Sequence, residues 1–204
     1  MNISSTAKRN FLTLLTAIFA VDALFSVFSL LQYLEWIPAF DVVTSSGSER
    51  SVTAVVLKAL NIALELFILG KLLTFKDFGL TVKSKVGLVL LMIHSVCGLF
   101  VYFLDLFVGA PSWVFSLITA GPFVLSIIGI FMFINGAPVE KKLRRFVKWT
   151  PFLSLIASCI MAIPYLLAKG SISTSVAEQL VYTSLCIAIY LIVNRMARRE
   201  IEVK

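Results

Sequence analysis

Apolar residues occur in six long runs along this chain, separated by short segments that hold most of its charged residues. The runs span roughly residues 11–34, 53–74, 86–107, 112–134, 150–168 and 175–194. A helix needs about 20 predominantly apolar residues to cross the hydrocarbon core of a bilayer. The pattern therefore predicts an all-α polytopic membrane protein, with residues 1–204 forming a single domain of six transmembrane helices arranged as three hairpins.

The composition points to lipid as the solvent of this fold. Apolar residues make up 59% of the 204 residues and charged residues 14%, against about 45–50% and about 25% in soluble domains. With a mean hydropathy of +0.98, the chain has too few polar side chains to cover a surface that faces water. The lipid bilayer is therefore its first expected partner.

Lys and Arg residues are divided very unevenly between the two sides of the six-helix topology. One side receives fifteen of the 18: Lys8, Arg9, Lys71, Lys76, Lys83, Lys85, Lys141, Lys142, Arg144, Arg145, Lys148, Arg195, Arg198, Arg199 and Lys204. The other side receives only Arg50, Lys58 and Lys169. Basic residues in short loops mark the cytoplasmic side. We therefore expect a multi-pass protein of the cell membrane (the inner or plasma membrane) with both termini in the cytoplasm.

The first run has a second interpretation. Lys8 and Arg9 precede an apolar stretch and the triplet Val21-Asp22-Ala23, an arrangement similar to a cleavable signal peptide. The apolar run continues to residue 34, however, which is long enough to span a bilayer. An uncleaved membrane helix is the expectation.

The segment 139–149, "VEKKLRRFVKW", carries five basic side chains in eleven positions. Its apolar residues share one helical face, and Pro138 suits the first turn of a helix. This predicts a short interfacial helix over residues 138–148, lying in the headgroup region. Its basic residues would bind anionic phospholipid headgroups: Lys141, Lys142, Arg144, Arg145 and Lys148. No aromatic platform or nucleic-acid motif accompanies them, so no nucleic-acid partner is expected.

Ionisable residues inside membrane spans are unfavourable and often functional. Asp22, Glu65 and His94 fall near the middle of the first three runs, and Asn61 lies one helical turn before Glu65. We predict that these four residues form a ligand- or ion-binding site at the membrane midplane. The alternative is that they only tie the first three helices together through polar contacts.

Lys58 and Asp105 lie closer to the outer surface, in the second and third runs. They are candidates for an ion pair there, although either side chain could instead extend towards the headgroups.

The sixth run carries a polar stripe on one helical face: Gln179, Thr183, Cys186, Tyr190 and Asn194. Small and hydroxyl-bearing residues are the usual contact surface between membrane helices. A helix–helix contact is the expectation, with a cavity lining as the alternative.

No catalytic signature accompanies these features. The three cysteines, Cys97, Cys159 and Cys186, stand singly and predict neither disulfides nor a zinc site. One histidine cannot supply bis-histidine haem ligation, and the nucleotide-binding, metalloprotease and serine-hydrolase motifs are absent from the sequence. No catalytic residue, metal or cofactor is assigned.

Three function classes follow from the pattern. The first is a transport-related protein, meaning a solute or ion/proton-coupled carrier or the membrane subunit of one. The second is a non-catalytic scaffold or regulatory subunit, bound to itself as a homo-oligomer or to a partner membrane protein. The third is an intramembrane enzyme that uses His94 with Glu65 or Asp22. A carrier requires the midplane residues to converge on a cavity, whereas a scaffold would pair them in a dry interior.

Overall fold

A computed structural model describes the backbone of residues 4–38, 41–43, 49–107, 112–167 and 172–202, and the side chains of residues 4–38, 52–100, 121–157 and 176–202. Within the described residues, each predicted apolar run coincides with an α-helix, except for residue 34, which lies just after α1. The six helices are α1 Ser5–Tyr33, α2 Val52–Thr74, α3 Val82–Phe107, α4 Ser112–Asn135, α5 Lys141–Leu167 and α6 Ile172–Glu202. A short 3-10 helix, Lys76–Phe78, lies between α2 and α3.

Four segments of the described chain are long and apolar enough to cross a membrane: Ser5–Tyr33, Val52–Thr74, Val82–Phe100 and Val176–Glu202. A shorter apolar helical segment, Gly121–Asn135, belongs to α4. These helices indicate a membrane-embedded protein.

Hydroxyl side chains fix where two helices begin. The Ser4 hydroxyl accepts a hydrogen bond from the Ala7 backbone N–H at 3.1 Å, which caps α1. The Thr81 hydroxyl accepts one from the Ser84 N–H at 3.2 Å, just before α3. Because of its cap, α1 starts before the predicted span and includes Lys8 and Arg9.

The six helices confirm the all-α prediction, and a small antiparallel hairpin lies in the connection between α1 and α2. Strand β1, Asp41–Val43, pairs with strand β2, Glu49–Ser51, with Asp41 opposite Ser51. The sequence predicted only a loop between α1 and α2. Val42 and Val43 of β1 are β-branched, which favours extended backbone.

The six helices pack as a closed ring. Each helix contacts the next along the chain, and α6 returns to contact α1. The α1–α6 seam contains two hydrogen bonds to one acceptor: the Thr183 hydroxyl and the Gln179 amide donate to the Ser26 backbone carbonyl, at 3.0 Å and 3.3 Å. Two residues of the polar stripe on α6 therefore make a helix–helix contact, as the sequence predicted.

Helices α3 and α4 approach each other through two glycines, Gly87 and Gly129. A Cβ atom on Gly87 would lie 2.6 Å from the Gly129 carbonyl oxygen and would also overlap the Phe133 backbone nitrogen. Real Cβ atoms do not come this close to backbone atoms. The backbones can therefore touch only because neither residue has a side chain.

One end of the ring is filled by a dense apolar core, and we call it the basic end because Lys8, Lys71 and Lys141 lie there. Phe78, on the 3-10 helix, is inserted between helices and is 1% exposed. The ring centroids of Phe78 and Phe11 are 5.5 Å apart, and those of Phe11 and Phe133 are 5.9 Å apart. These rings close this end of the bundle.

The structure shows no separate helix over residues 138–148, where the sequence predicted an interfacial one. Helix α5 begins at Lys141 and continues to Leu167 without a break. The apolar face of its first turns, with Leu143 1% and Val147 2% exposed, packs into the core of the basic end rather than into headgroups. A helix that lies on a core and one that lies on lipid have the same amphipathic pattern, so the sequence could not separate them.

Two charged side chains, Glu200 and Arg144, connect segments of the chain at the basic end. The Glu200 carboxylate is 3% exposed, lies 3.1 Å from the Lys8 ammonium, and accepts the Glu140 backbone N–H at 2.9 Å. It thereby joins the end of α6 to the starts of α1 and α5. Arg144, predicted to bind headgroups, instead donates hydrogen bonds to the Ala137 and Val139 carbonyls, each at 3.1 Å.

Candidate binding cavity

A partly open cavity of about 330 Å³ lies between the helices, and all six helices contribute to its lining. Most of the lining side chains are apolar. The polar and ionisable ones are Asp22, Glu65, His94, Ser126, Thr150, Ser154, Tyr182 and Cys186. The cavity is bounded towards the basic end by Phe133, which packs on Phe11.

Three of the four residues of the predicted midplane site line this cavity. Asp22 comes from α1, Glu65 from α2 and His94 from α3. The two carboxyl groups are close enough to act on each other electrostatically, and Glu65 also interacts with the Ser95 side chain on α3. The packing of α1, α2 and α3 therefore collects these ionisable side chains at one internal surface.

The His94 imidazole has a hydrogen-bonding atom without a partner. It interacts with the backbone carbonyl of Pro122 on α4. Its Nδ1 atom is buried and has no hydrogen-bond partner among the described residues. Nδ1 is therefore available to a ligand, and in the tautomer protonated on Nε2 it would accept a hydrogen bond.

Asn61 is buried at 9% exposure but does not appear in the cavity lining. Its Oδ1 atom has no hydrogen-bond partner within the described part of the chain. The structure therefore places Asn61 beside the site, one turn before Glu65, rather than on the cavity wall.

Lys58 also lies outside the cavity lining, yet its charge acts on Asp22, Glu65 and His94. It is thus a neighbour of the midplane residues. The side chain of Asp105 lies outside the described residues, and so does the predicted Lys58–Asp105 pair.

A proline shapes the wall that α5 contributes. Pro151 has no N–H for the Val147 carbonyl, but the Thr150 hydroxyl donates to that carbonyl at 2.8 Å. The Ser154 hydroxyl in turn donates to the Thr150 carbonyl at 3.3 Å. These bonds let the helix continue through Pro151 and place two hydroxyl groups at the cavity.

Sequence reasoning did not identify Ser126 and Thr150 as lining residues. Ser126 could have been found, because it is the one hydroxyl residue between Pro122 and Ile134 of α4. Thr150 offered no comparable signal, since it follows the basic segment and reads as a boundary residue. Tyr182 and Cys186 belong to or adjoin the polar stripe on α6, for which the sequence left a cavity lining open as the alternative.

The rest of the lining is mainly aromatic and aliphatic. Phe19, Phe123, Phe133 and Tyr182 supply rings from three different helices. No Lys or Arg belongs to the lining in the described part of the chain. Within the same residues, no group of three or more His, Cys, Asp or Glu side chains could hold a metal ion.

Comparison of the chain with protein-family models, with curated proteins and with solved structures gave no match. Any functional assignment therefore rests on the chemistry of the cavity and the architecture around it.

Proposed function

We propose that this protein is a small membrane carrier, or the membrane subunit of one, whose substrate binds in the central cavity. The observation that supports this proposal is the convergence of Asp22, Glu65 and His94, from three separate helices, on one internal cavity. Ionisable groups are unfavourable inside a membrane. A scaffold would be expected to pair these side chains in a dry interior, without a cavity beside them.

In this proposal the six helices span the cell membrane as three hairpins, with both termini in the cytoplasm. The uneven division of Lys and Arg supports that orientation. Large apolar side chains on the outside of the ring support lipid contact: Phe67 is 62% exposed, Phe100 58% and Leu191 55%. The basic end would then face the cytoplasm.

One end of the cavity is blocked by packed aromatic rings, those of Phe11, Phe78 and Phe133. A carrier must keep its site closed on one side while it is open on the other. Since these rings fill the basic end, the site would be closed towards the cytoplasm in the proposed orientation. Transport would require Phe78 and its 3-10 helix to move.

The test is uptake by proteoliposomes of three poorly permeant solutes: benzyltrimethylammonium, benzenesulfonate and mannitol. We expect saturable uptake of at least one of them, and we expect Glu65→Gln to abolish it. Gln preserves the shape and much of the hydrogen bonding of Glu but has no charge. Thermal unfolding of the variant should remain close to that of the wild type.

The matched control is Glu178→Gln, which makes the same change at an exposed position on α6 outside the cavity lining. Its uptake should equal that of the wild type. Absence of saturable uptake for all three solutes would contradict the carrier and favour the scaffold. Loss of folding in Glu65→Gln, rather than loss of uptake, would assign Glu65 a structural role.

A further inference from the structure

We infer that the cavity selects a small organic monocation: an ammonium group attached to an apolar body. This inference rests on the proposed function, because it names the substrate class of the same site. Four features of the cavity support it: the lining carboxyl groups, the apolar and aromatic walls, the volume, and the unpartnered Nδ1 atom of His94.

The ionisable groups that line the cavity favour a cation over an anion. Asp22 and Glu65 are lining carboxyl groups, and the described lining contains no Lys or Arg. Lys58 acts on both carboxyl groups from outside the lining. A carboxylate in a mostly apolar cavity is unfavourable without a partner of opposite charge. A monovalent cation in the cavity supplies that partner.

The walls favour an organic cation over an inorganic one. A divalent metal ion needs about six oxygen ligands, whereas most of this lining is apolar and the described residues hold no metal-binding group. Aromatic rings attract ammonium groups through their π faces. Phe19, Phe123 and Tyr182 supply such rings beside the two carboxyl groups.

The size of the cavity limits the ligand. About 330 Å³ lies at the low end of the range of about 300–1,000 Å³ seen for small-molecule sites. A single ring with an alkylammonium group fits this space, and a large polycyclic ligand does not.

His94 adds a preference among ammonium ions. Its buried Nδ1 atom lacks a partner among the described residues, and in the tautomer protonated on Nε2 this atom accepts a hydrogen bond. An ammonium that retains an N–H can donate to this atom, whereas a quaternary ammonium cannot. Amines that carry an N–H should therefore bind more tightly than their quaternary analogues.

The experiment measures ligand-dependent thermal stability of the protein in nanodiscs, since a ligand that binds only the folded state raises Tm. The probes are benzyltrimethylammonium, its neutral isostere neopentylbenzene, and benzenesulfonate. We expect only the cation to raise Tm in a saturable way. Removing one partner of a buried charge pair should weaken its affinity by at least ~30-fold in both Glu65→Gln and Asp22→Asn, and Glu178→Gln should leave it unchanged.

A second comparison addresses His94. Benzyldimethylammonium, which has one N–H, should bind about 5-fold or more tightly than benzyltrimethylammonium, as one net hydrogen bond allows. His94→Leu should remove this difference while retaining binding of the quaternary ion. An equal preference in both proteins would overturn the role of Nδ1.

The outcomes separate this inference from the proposed function. Equal binding of neopentylbenzene, or cation binding that survives both carboxyl substitutions, overturns the charge selection. Uptake of benzenesulfonate or mannitol without cation binding overturns the monocation but leaves the carrier standing. Cation binding without uptake supports the site and overturns the carrier. Neither binding nor uptake of any probe overturns both.

Discussion

The backbone carbonyl of Ser26 joins α1 to α6, because it accepts hydrogen bonds from both Thr183 and Gln179. Thr183→Val keeps the side-chain shape and removes one of these bonds. We expect a loss of about 1 kcal/mol in the free energy of unfolding, in keeping with hydrogen bonds between membrane helices. Denaturant unfolding in lipid bicelles measures it.

The control is Thr13→Val, the same change at an exposed hydroxyl that bonds only within its own helix, to the Arg9 carbonyl. It should alter stability by less than about 0.5 kcal/mol. Equal losses in the two variants would show that the α1–α6 hydrogen bonds add nothing to the seam.

At the residue scale, the acidic residues of the cavity were easier to predict from the sequence than the contacts that charged residues make elsewhere. Asp22 and Glu65 stood out because a charge within an apolar run is unfavourable without a specific reason. The hydrogen bonds of Arg144 to backbone carbonyls and the buried position of Glu200 were not predicted, because both residues lie in charged segments that look solvated. Their burial depends on which helix ends meet, and a one-dimensional pattern does not contain that.

At the scale of elements, the contact between α3 and α4 depends on Gly87. Gly87→Ala would push a methyl group into the backbone of α4, and we expect a loss of about 3 kcal/mol in the free energy of unfolding. The measurement is the same unfolding titration, combined with the yield of folded protein.

Gly98 provides a control in the same helix, since a Cβ there would have no atom within 4 Å. Gly98→Ala should be neutral or stabilising by up to about 1 kcal/mol, because Ala favours helix more than Gly does. A neutral Gly87→Ala would mean that the two helices can separate without loss.

The first turns of α5 retain a basic surface even though Arg144 faces the protein. Lys141, Lys142 and Arg145 are exposed there, and we expect them to bind anionic lipid with about 1 kcal/mol each. Changing all three to Gln should lower the amount of anionic lipid bound, measured by native mass spectrometry. Binding of zwitterionic lipid should not change, and undiminished anionic binding would identify this surface as solvated only.

The helices themselves could be predicted because a run of about 20 apolar residues has few alternatives in lipid. Details within and between the helices were harder to predict. A proline inside a helix removes a backbone hydrogen bond, and only the structure shows that the Thr150 hydroxyl satisfies the Val147 carbonyl that Pro151 leaves free. The hairpin β1–β2 was missed because its two strands are each only three residues long.

At the scale of the whole molecule, the proposed orientation can be tested with single cysteines in a variant lacking the three native ones. Lys142→Cys and Arg199→Cys should be protected from a membrane-impermeant maleimide added outside intact cells. Arg50→Cys, between α1 and α2, should react. The uneven division of Lys and Arg gives this expectation. External labelling at Arg199→Cys would contradict the six-span topology.

The cavity could be predicted only in part. Asp22, Glu65 and His94 were grouped by their depth along three helices. Whether they face one another depends on how each helix is rotated about its axis. Small contacts such as Gly87 on Gly129 set that rotation, and their effect appears only when all six helices are packed.

The pairing of Glu200 with Lys8 and the Glu140 backbone has a consequence for the order of assembly. Segments that emerge first during synthesis can fold first, yet α1 cannot complete its contacts until the last turns of α6 arrive. Until then the polar carbonyl of Ser26 and the acid of Asp22 face an open seam. A chain stalled after α5 should therefore remain open to membrane quality-control proteases, and closure of the ring would mark the finished protein.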